Sequence, residues 1–114
     1  MGKVKEYKLW GEEQSATKHD QDKVPVELVP TEAIEAIAEV LAFGAQKYSA
    51  NNWRSGFKWS RLFGACLRHI YAHMRGQNID PESGLSHLAH AGCCIMFLIT
   101  HETNKLGEDD RYKQ

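Results

Sequence analysis

The chain has no hydrophobic run long enough for a membrane span, no apolar leader and little net charge. Its apolar stretches fall short of the roughly 18–20 residues that a membrane helix needs. The opening segment MGKVKEYKLW lacks the apolar core of a signal peptide. A net charge of −1 and a pI near 6.6 argue against a general nucleic-acid binder, which is usually basic. We therefore expect a soluble cytoplasmic protein that binds neither membranes nor nucleic acid.

Cysteine is also scarce, because the chain has only Cys66, Cys93 and Cys94. An odd number of cysteines in a short chain argues against a disulfide framework. Their apolar neighbours favour small buried side chains in a reducing compartment, and a reactive thiol or a metal ligand is the alternative. The sequence has no internal repeat and no strand-like alternation of polar and apolar residues.

The 114 residues fit one domain with a modest core. Apolar residues at helical spacing predict an all-α bundle of three main helices, at about 31–48, 60–75 and 82–104. Start and stop signals for these helices are Thr31, Ser60 and Gly76. We divide the chain into an extended N-terminal arm at 1–23, the helical domain at 24–104 and a charged tail at 105–114. The predicted buried stripe of the first helix comprises Ile34, Ile37, Ala38, Leu41, Ala45 and Tyr48.

The third predicted helix is apolar on nearly every side between residues 85 and 99. A helix of this kind must be covered all round, and two other helices of so short a chain cannot do that. We therefore predict that the bundle is completed by oligomerisation, as a homodimer or homotetramer through residues 85–99.

Carboxylates on the first helix are candidate metal ligands. Glu32, Glu35 and Glu39 share one face, and hard divalent cations prefer clustered oxygen ligands. The alternative is an ordinary solvated face. Asp80, just before the third helix, is the candidate for a second source of carboxylate, although an acid there also suits a helix cap.

Histidines occur in two pairs with spacings that can chelate a metal. His69 and His73 are four residues apart, and His87 and His90 are three apart. Hydrogen-bonded or surface histidines are the alternative for each pair.

Cations and aromatic rings accompany these groups. Lys47 and the arginines Arg61, Arg68 and Arg75 can contact phosphate oxygens, or can form a solvated stripe. Tyr48, Trp53 and Trp59 offer faces for stacking a base, with core packing as the alternative. Asn51 and Asn52 carry both donors and acceptors for a base edge. Together these residues favour an anionic, ring-bearing ligand held with a metal ion.

Several motifs resemble a phage family, the dATP/dGTP diphosphohydrolase N-terminal domain. The resemblance covers about residues 18–102. It is carried by KHDQ at 18–21, LVP at 28–30, FGAQKY at 43–48, NWR at 52–54, WSRL at 59–62, LRH at 67–69 and DPESGLSHLAHA at 80–91.

This resemblance implies MazG-like all-α chemistry, in which a nucleoside triphosphate is cut to monophosphate and pyrophosphate. Such enzymes are helical oligomers that hold magnesium or manganese with ExxE on one helix and ExxD on the next. Glu32-x-x-Glu35 matches the first motif. The chain lacks an obvious ExxD, and the nearest analogue by position on a later helix is His87-x-x-His90. Asp22 also departs from the pattern, because the resemblance implies glycine there.

The resulting hypothesis is metal-dependent hydrolysis of dGTP or dATP, with Mg²⁺ or Mn²⁺ as cofactor and Zn²⁺ as a weaker candidate. The proposed metal ligands are Glu35, Glu39, Asp80 and His87, and the catalytic acids are Glu32, Glu35 and Glu39, with Glu32 as candidate general base. The proposed substrate contacts are Lys47 and Arg68 on phosphate, Asn52 and Trp53 on the base, and His69 as an orienting group. The alternatives are a nucleotide-binding module without turnover and a zinc-stabilised helical interaction protein. If the gene is phage-encoded, the compartment is the host cytoplasm.

Overall fold

The computed structural model describes residues 22–113, which form three α-helices and no β-strand. The helices are α1 (Thr31–Lys47), α2 (Trp59–Met74) and α3 (His87–Asn104). The prediction of an all-α fold with three main helices is therefore confirmed. In this part of the chain, no helix is both long and apolar enough to cross a membrane.

The chain divides into two compact units, Met1–Pro30 and Thr31–Gln114. Within the first unit, residues 22–30 contain one 3₁₀ turn, at Val26–Leu28. The predicted N-terminal arm at residues 1–23 lies almost wholly outside the described residues.

The core of the second unit forms where α1 and α2 each pack against α3. Val40 of α1 meets Ala89 and Cys93 of α3 in a buried cluster. On the other side, Cys66 Sγ of α2 lies 3.7 Å from the carbonyl oxygen of Ala91. Small side chains fill this second contact, which lets the two helix backbones approach closely. The buried small residues of α2 and α3 are Cys66, Ala72, Ala89, Ala91 and Cys93, of which Ala89 and Cys93 belong to the cluster with Val40.

The buried edge of α1 differs from the predicted stripe. Ile37 and Leu41 pack against the core cluster as expected. Ile34, Ala38 and Tyr48 are instead exposed, and Val40 is buried. The reason is that α1 packs chiefly against α3, so that only a narrow edge of the helix is covered within one chain.

Helix α3 begins later than predicted, because a loop rather than a helical turn satisfies the backbone before it. The N–H of Asp80 donates to the carbonyl of Leu85 at 2.8 Å, and that of Gly84 donates to the carbonyl of Asp80 at 2.7 Å. Ser86 is the N-cap, and its hydroxyl accepts the N–H groups of Leu88 and Ala89. The prediction of a start near residue 82 is therefore wrong, since the first helical residue is His87.

The C-terminal end of α2 is fixed by a glycine turn, as the sequence predicts. Gly76 has a φ of +98°, which favours glycine. The N–H of Gly76 donates to the carbonyl of His73, and that of Gln77 donates to the carbonyl of Ala72. This pair of bonds is a Schellman motif. It sets the direction in which the chain leaves α2.

The segment after α3 is bonded to the start of α2. Trp59 donates its backbone N–H to the carbonyl of Glu108 and its indole N–H to the carbonyl of Leu106. Ser60, predicted as a helix cap, lies inside the helix and donates its backbone N–H and its hydroxyl to Asp110. These hydrogen bonds lower the pKa of the Asp110 carboxyl. The charge pattern alone did not predict this attachment.

All three cysteines are free thiols. Cys66 and Cys93 are buried, as the sequence predicts, and Cys94 is half-buried. Burial raises the pKa of Cys93 to about 12 and that of Cys94 to about 11.

Replacing Gly107 by alanine tests the attachment of the final segment. Gly107 has a φ of +68°, and a Cβ there would collide with the carbonyl oxygen of Phe57 and lie 2.9 Å from Cδ2 of His101. We expect Gly107→Ala to lower the free energy of unfolding by about 2 kcal/mol or more. The matched control is Gly76→Ala, which has positive φ but no atom within 4 Å of the added Cβ. Its loss, measured in the same urea titration, should be about 1 kcal/mol; equal losses would contradict the proposed clash.

Candidate functional site

Three histidines meet at one end of the α2–α3 pair. His69 comes from α2, and His87 and His90 come from the first turn of α3. The rings of His69 and His90 stack with centroids 4.5 Å apart and planes inclined by 7°. Nδ1 of His69 lies 2.8 Å from Nδ1 of His87. The spacing of three residues places both α3 histidines on the side that faces α2.

The loop before α3 adds a carboxylate and a hydroxyl to these rings. Asp80 Oδ2 lies 3.5 Å from Nε2 of His90, and Ser83 Oγ lies 2.7 Å from the same nitrogen. The hydroxyl oxygen of Ser83 also accepts the N–H of Leu85, so the loop itself fixes its position. The loop conformation that delays α3 is therefore what delivers Asp80 to His90.

His69, Asp80 and His90 form a cluster that fits a divalent cation, and we call it the His–Asp cluster. Each residue offers one ligand atom, and these atoms lie within 4.8 Å of one another. Within residues 22–113 no other group of three such side chains satisfies this criterion. Two imidazoles and one carboxylate are a donor set that suits transition-metal ions.

The electrostatics of the His–Asp cluster favour neutral rings. Burial lowers the pKa of His69, and the neighbouring charge of His90 lowers it further. Burial also lowers the pKa of His90, although the Asp80 carboxylate opposes this effect. Only a neutral imidazole has the lone pair that a metal ion needs. The cluster is therefore prepared to accept a cation near neutral pH.

A cavity of about 840 Å³ opens beside the His–Asp cluster. Its walls come from the end of α1, the 3₁₀ turn Asn52–Ser55, and the facing sides of α2 and α3. Lys47 lies at this cavity, with Nζ 3.5 Å from Glu82 Oε1. The Glu82 carboxylate raises the pKa of Lys47. The cavity thus lies beside both the Lys47 ammonium and the His–Asp cluster.

The aromatic part of the cavity wall is already stacked within the chain. The Trp53 ring packs on Phe97 with centroids 4.5 Å apart, and the Arg54 guanidinium carbon lies 4.4 Å from the indole centroid. Nε of Arg54 donates to Oδ1 of Asn51 at 3.0 Å, which holds the guanidinium over the ring. A base that stacks on the face under Arg54 must therefore displace this side chain.

The structure brings five of the sequence-predicted site residues to the cavity wall. These are Lys47, Asn52, Trp53, His69 and Asp80. Arg68 is exposed on α2 and does not line the cavity. His87 is 5% exposed and lies behind His69, so it contacts the His–Asp cluster without lining the cavity.

The α1 carboxylates lie elsewhere in the single chain. Glu32, Glu35 and Glu39 are all exposed, and none lines the cavity. They are not drawn into the His–Asp cluster. Any role for them requires either a second ion or a second subunit.

Two members of the site were absent from the ligand set proposed from sequence, although His90 was recognised as half of a possible chelating pair. His90, rather than its partner His87, reaches Asp80, and Ser83 contacts the same ring. The HLAH spacing indicated a histidine pair but not which ring faces the loop. Ser83 gave no signal beyond a helix-start residue, because its contact depends on the loop conformation.

Comparison with known proteins identifies relatives of the chain. Residues 13–111 match the family described as dATP/dGTP diphosphohydrolase, N-terminal. A curated protein of Salmonella phage PMBT28, named dATP/dGTP diphosphohydrolase, is 40% identical over 94 residues. The alignment covers 82% of this chain and 32% of the relative, so the chain spans about a third of that protein's length. No solved structure matches the chain significantly.

The lowered pKa values of His69 and His90 predict a pH-dependent stability in metal-free protein. The unfolded chain takes up protons at the ordinary histidine pKa, before the folded protein does. The free energy of unfolding should therefore be retained above about pH 6.5 and fall as the pH is lowered below it. Urea titrations with chelator at pH 7.5 and 5.5 measure this change.

The double variant His69→Gln/His90→Gln, with helix content checked by circular dichroism, should lose less stability between the two pH values. An equal loss would refute this assignment.

Proposed function

Because the chain belongs to the dATP/dGTP diphosphohydrolase N-terminal family, we propose that it hydrolyses dGTP or dATP to the monophosphate and pyrophosphate. The observation that carries the proposal is the cavity joining Lys47 to the His–Asp cluster. A fixed cation and a metal-binding cluster on one cavity suit the charges of a triphosphate. The phage relative that bears the name of this activity supports the proposal and favours the host cytoplasm as the place of action.

The proposed cofactor is Mn²⁺ or Mg²⁺, held by the His–Asp cluster. Its imidazole donors favour Mn²⁺, because Mg²⁺ prefers a shell of oxygen ligands. When bound, such an ion neutralises phosphate oxygens and lowers the pKa of a coordinated water. His69 and His90 supply neutral nitrogen donors, and Asp80 supplies the negative charge that offsets the ion.

The proposed substrate contacts divide between the two ends of the cavity. Lys47 exchanges its exposed partner Glu82 for a phosphate oxygen, which costs little because exposed ion pairs are weak. Asn52 presents an amide to the base edge, and Trp53 presents its ring once Arg54 moves aside. Arg68 is proposed as a further phosphate contact from outside the cavity wall.

The α1 carboxylates enter the proposal in a different position. Glu35 and Glu39 are proposed ligands of a second ion, and Glu32 is the proposed general base. All three are exposed in the single chain. Their proposed part in the reaction therefore depends on this second ion or on a neighbouring subunit.

A direct assay tests the proposed reaction. Incubation with dGTP or dATP and Mn²⁺ should release pyrophosphate and the monophosphate, resolved by anion-exchange chromatography. Asp80→Asn should reduce kcat/KM at least tenfold, because the variant loses the only carboxylate of the His–Asp cluster. Glu35→Gln measures whether the α1 carboxylates contribute. The control is Glu102→Gln, an exposed carboxylate outside the cavity wall, which should leave the rate unchanged.

The products separate this proposal from its competitors. Release of single phosphate or of intact triphosphate would mean that a different bond is cut. Saturable nucleotide binding without any product would instead identify a binding module. No pyrophosphate from dGTP, dATP, dCTP or dUTP would reject the hydrolase assignment.

We also propose that the chain acts as a homodimer or homotetramer through residues 85–99. Leu88, Ile95 and Ile99 of α3 are 52%, 46% and 57% exposed in the single chain. Large contiguous exposed apolar patches mark interaction surfaces. Three apolar residues of α2 are also exposed: Phe63, Leu67 and Tyr71.

Sedimentation velocity tests this assembly. The unaltered protein should sediment as a dimer or tetramer, and Ile95→Glu should shift it towards the monomer, because a charge would be buried without a partner. Tyr112→Glu is the control, since Tyr112 is 90% exposed and lies outside α3. A monomer in the unaltered protein at micromolar concentration would disprove the proposal.

A further inference from the structure

We propose that Gln77 and His87 are positioning residues that set the tautomer of His69, holding the proton on Nδ1 and leaving Nε2 with a lone pair that can accept a metal ion or a proton. The inference deepens the proposed function and rests on it for its chemical consequence. Its structural content, the position of one proton, is independent of any turnover.

The first step is the contact between Gln77 and His87. Oε1 of Gln77 lies 2.7 Å from Nε2 of His87. An amide oxygen can only accept a hydrogen bond, so Nε2 of His87 carries the proton and donates it. Gln77 is held in place for this contact by its own backbone N–H, which donates to the carbonyl of Ala72 in the turn after α2.

The second step is the contact between the two histidines. A neutral imidazole has one N–H, so a His87 ring protonated on Nε2 has an unprotonated Nδ1. That nitrogen lies 2.8 Å from Nδ1 of His69, and one proton must occupy the space between them. His69 therefore donates from Nδ1, and its Nε2 is left with a lone pair.

One ring proton satisfies both hydrogen-bond partners of His87. The ring is 5% exposed. Among residues 22–113, its side-chain hydrogen bonds run to Gln77 and His69, and neither supplies a negative charge. His87 thus acts behind His69 as a positioning residue, where the sequence suggested a metal ligand.

The consequence is a His69 ring that is prepared for its partner in the cavity. A histidine that binds a metal ion does so through an unprotonated nitrogen, and the hydrogen bond of its other nitrogen fixes the ring orientation. His69 lines the cavity and belongs to the His–Asp cluster, whereas Gln77 and His87 do not. The same tautomer also suits His69 to accept a proton there.

Nitrogen NMR of the metal-free protein measures the tautomer directly. In histidine-labelled protein at pH 7.5, we expect the His69 ring to show a protonated Nδ1 and an unprotonated Nε2. The His69→Gln variant identifies the signals of this ring by their loss. A His69 ring protonated on Nε2 would overturn the inference. A His87 ring protonated on both nitrogens would also overturn it.

Titration with Mn²⁺ alone tests the effect on the cluster. Gln77→Met removes the acceptor oxygen at similar side-chain length and should weaken Mn²⁺ binding about 10–100-fold. Asn78→Ala, a change in the neighbouring exposed amide, is the control and should leave affinity unchanged. Equal affinity for both variants would refute the positioning role.

The two failures are distinguishable. If the protein releases no pyrophosphate while His69 keeps its proton on Nδ1 and Gln77→Met loses Mn²⁺ affinity, the proposed reaction fails and the positioning role stands. If pyrophosphate is released while the tautomer is the opposite one, the positioning role fails and the reaction stands.

Discussion

The close contact between α2 and α3 is the constraint on which the rest of the structure depends. Cysteine and alanine side chains fill this contact, and Cys66 Sγ lies 3.7 Å from the carbonyl oxygen of Ala91. Larger side chains at these positions would separate the helices, because tightly packed interiors do not absorb added volume. The separation of the helices sets the distance between His69 and His87. The packing of the small apolar residues between α2 and α3 therefore controls the arrangement of the histidines at the end of this helix pair.

The sequence predicted the helices well, because their apolar spacing and their stop signals are local. Gly76 ends α2 where the pattern indicated, through a left-handed turn that is specified by neighbouring residues. The predicted start of α3 was wrong, because Asp80 and Gly84 close a loop with hydrogen bonds that compete with a helical turn. Spacing alone does not determine which of these two arrangements has the lower free energy.

The candidate site was predictable in its composition but not in its connections. Lys47, Asn52 and Trp53 line the cavity, as their motifs indicated. Helical periodicity places His87 and His90 on one face, but only the packing of α3 against α2 and the loop decides which ring meets Asp80. Likewise, the acidic face of α1 was visible in the sequence, whereas its distance from the cavity was not.

The two cysteines on the cavity wall are protonated thiols. Cys93 and Cys94 line the same cavity as the His–Asp cluster, and burial raises the pKa of both thiols well above neutral pH. An ion that recruited either sulfur would first have to expel its proton, at about 1.4 kcal/mol for each unit by which the pKa exceeds the ambient pH. The imidazole nitrogens of His69 and His90, whose pKa values are lowered, impose no such cost at neutral pH.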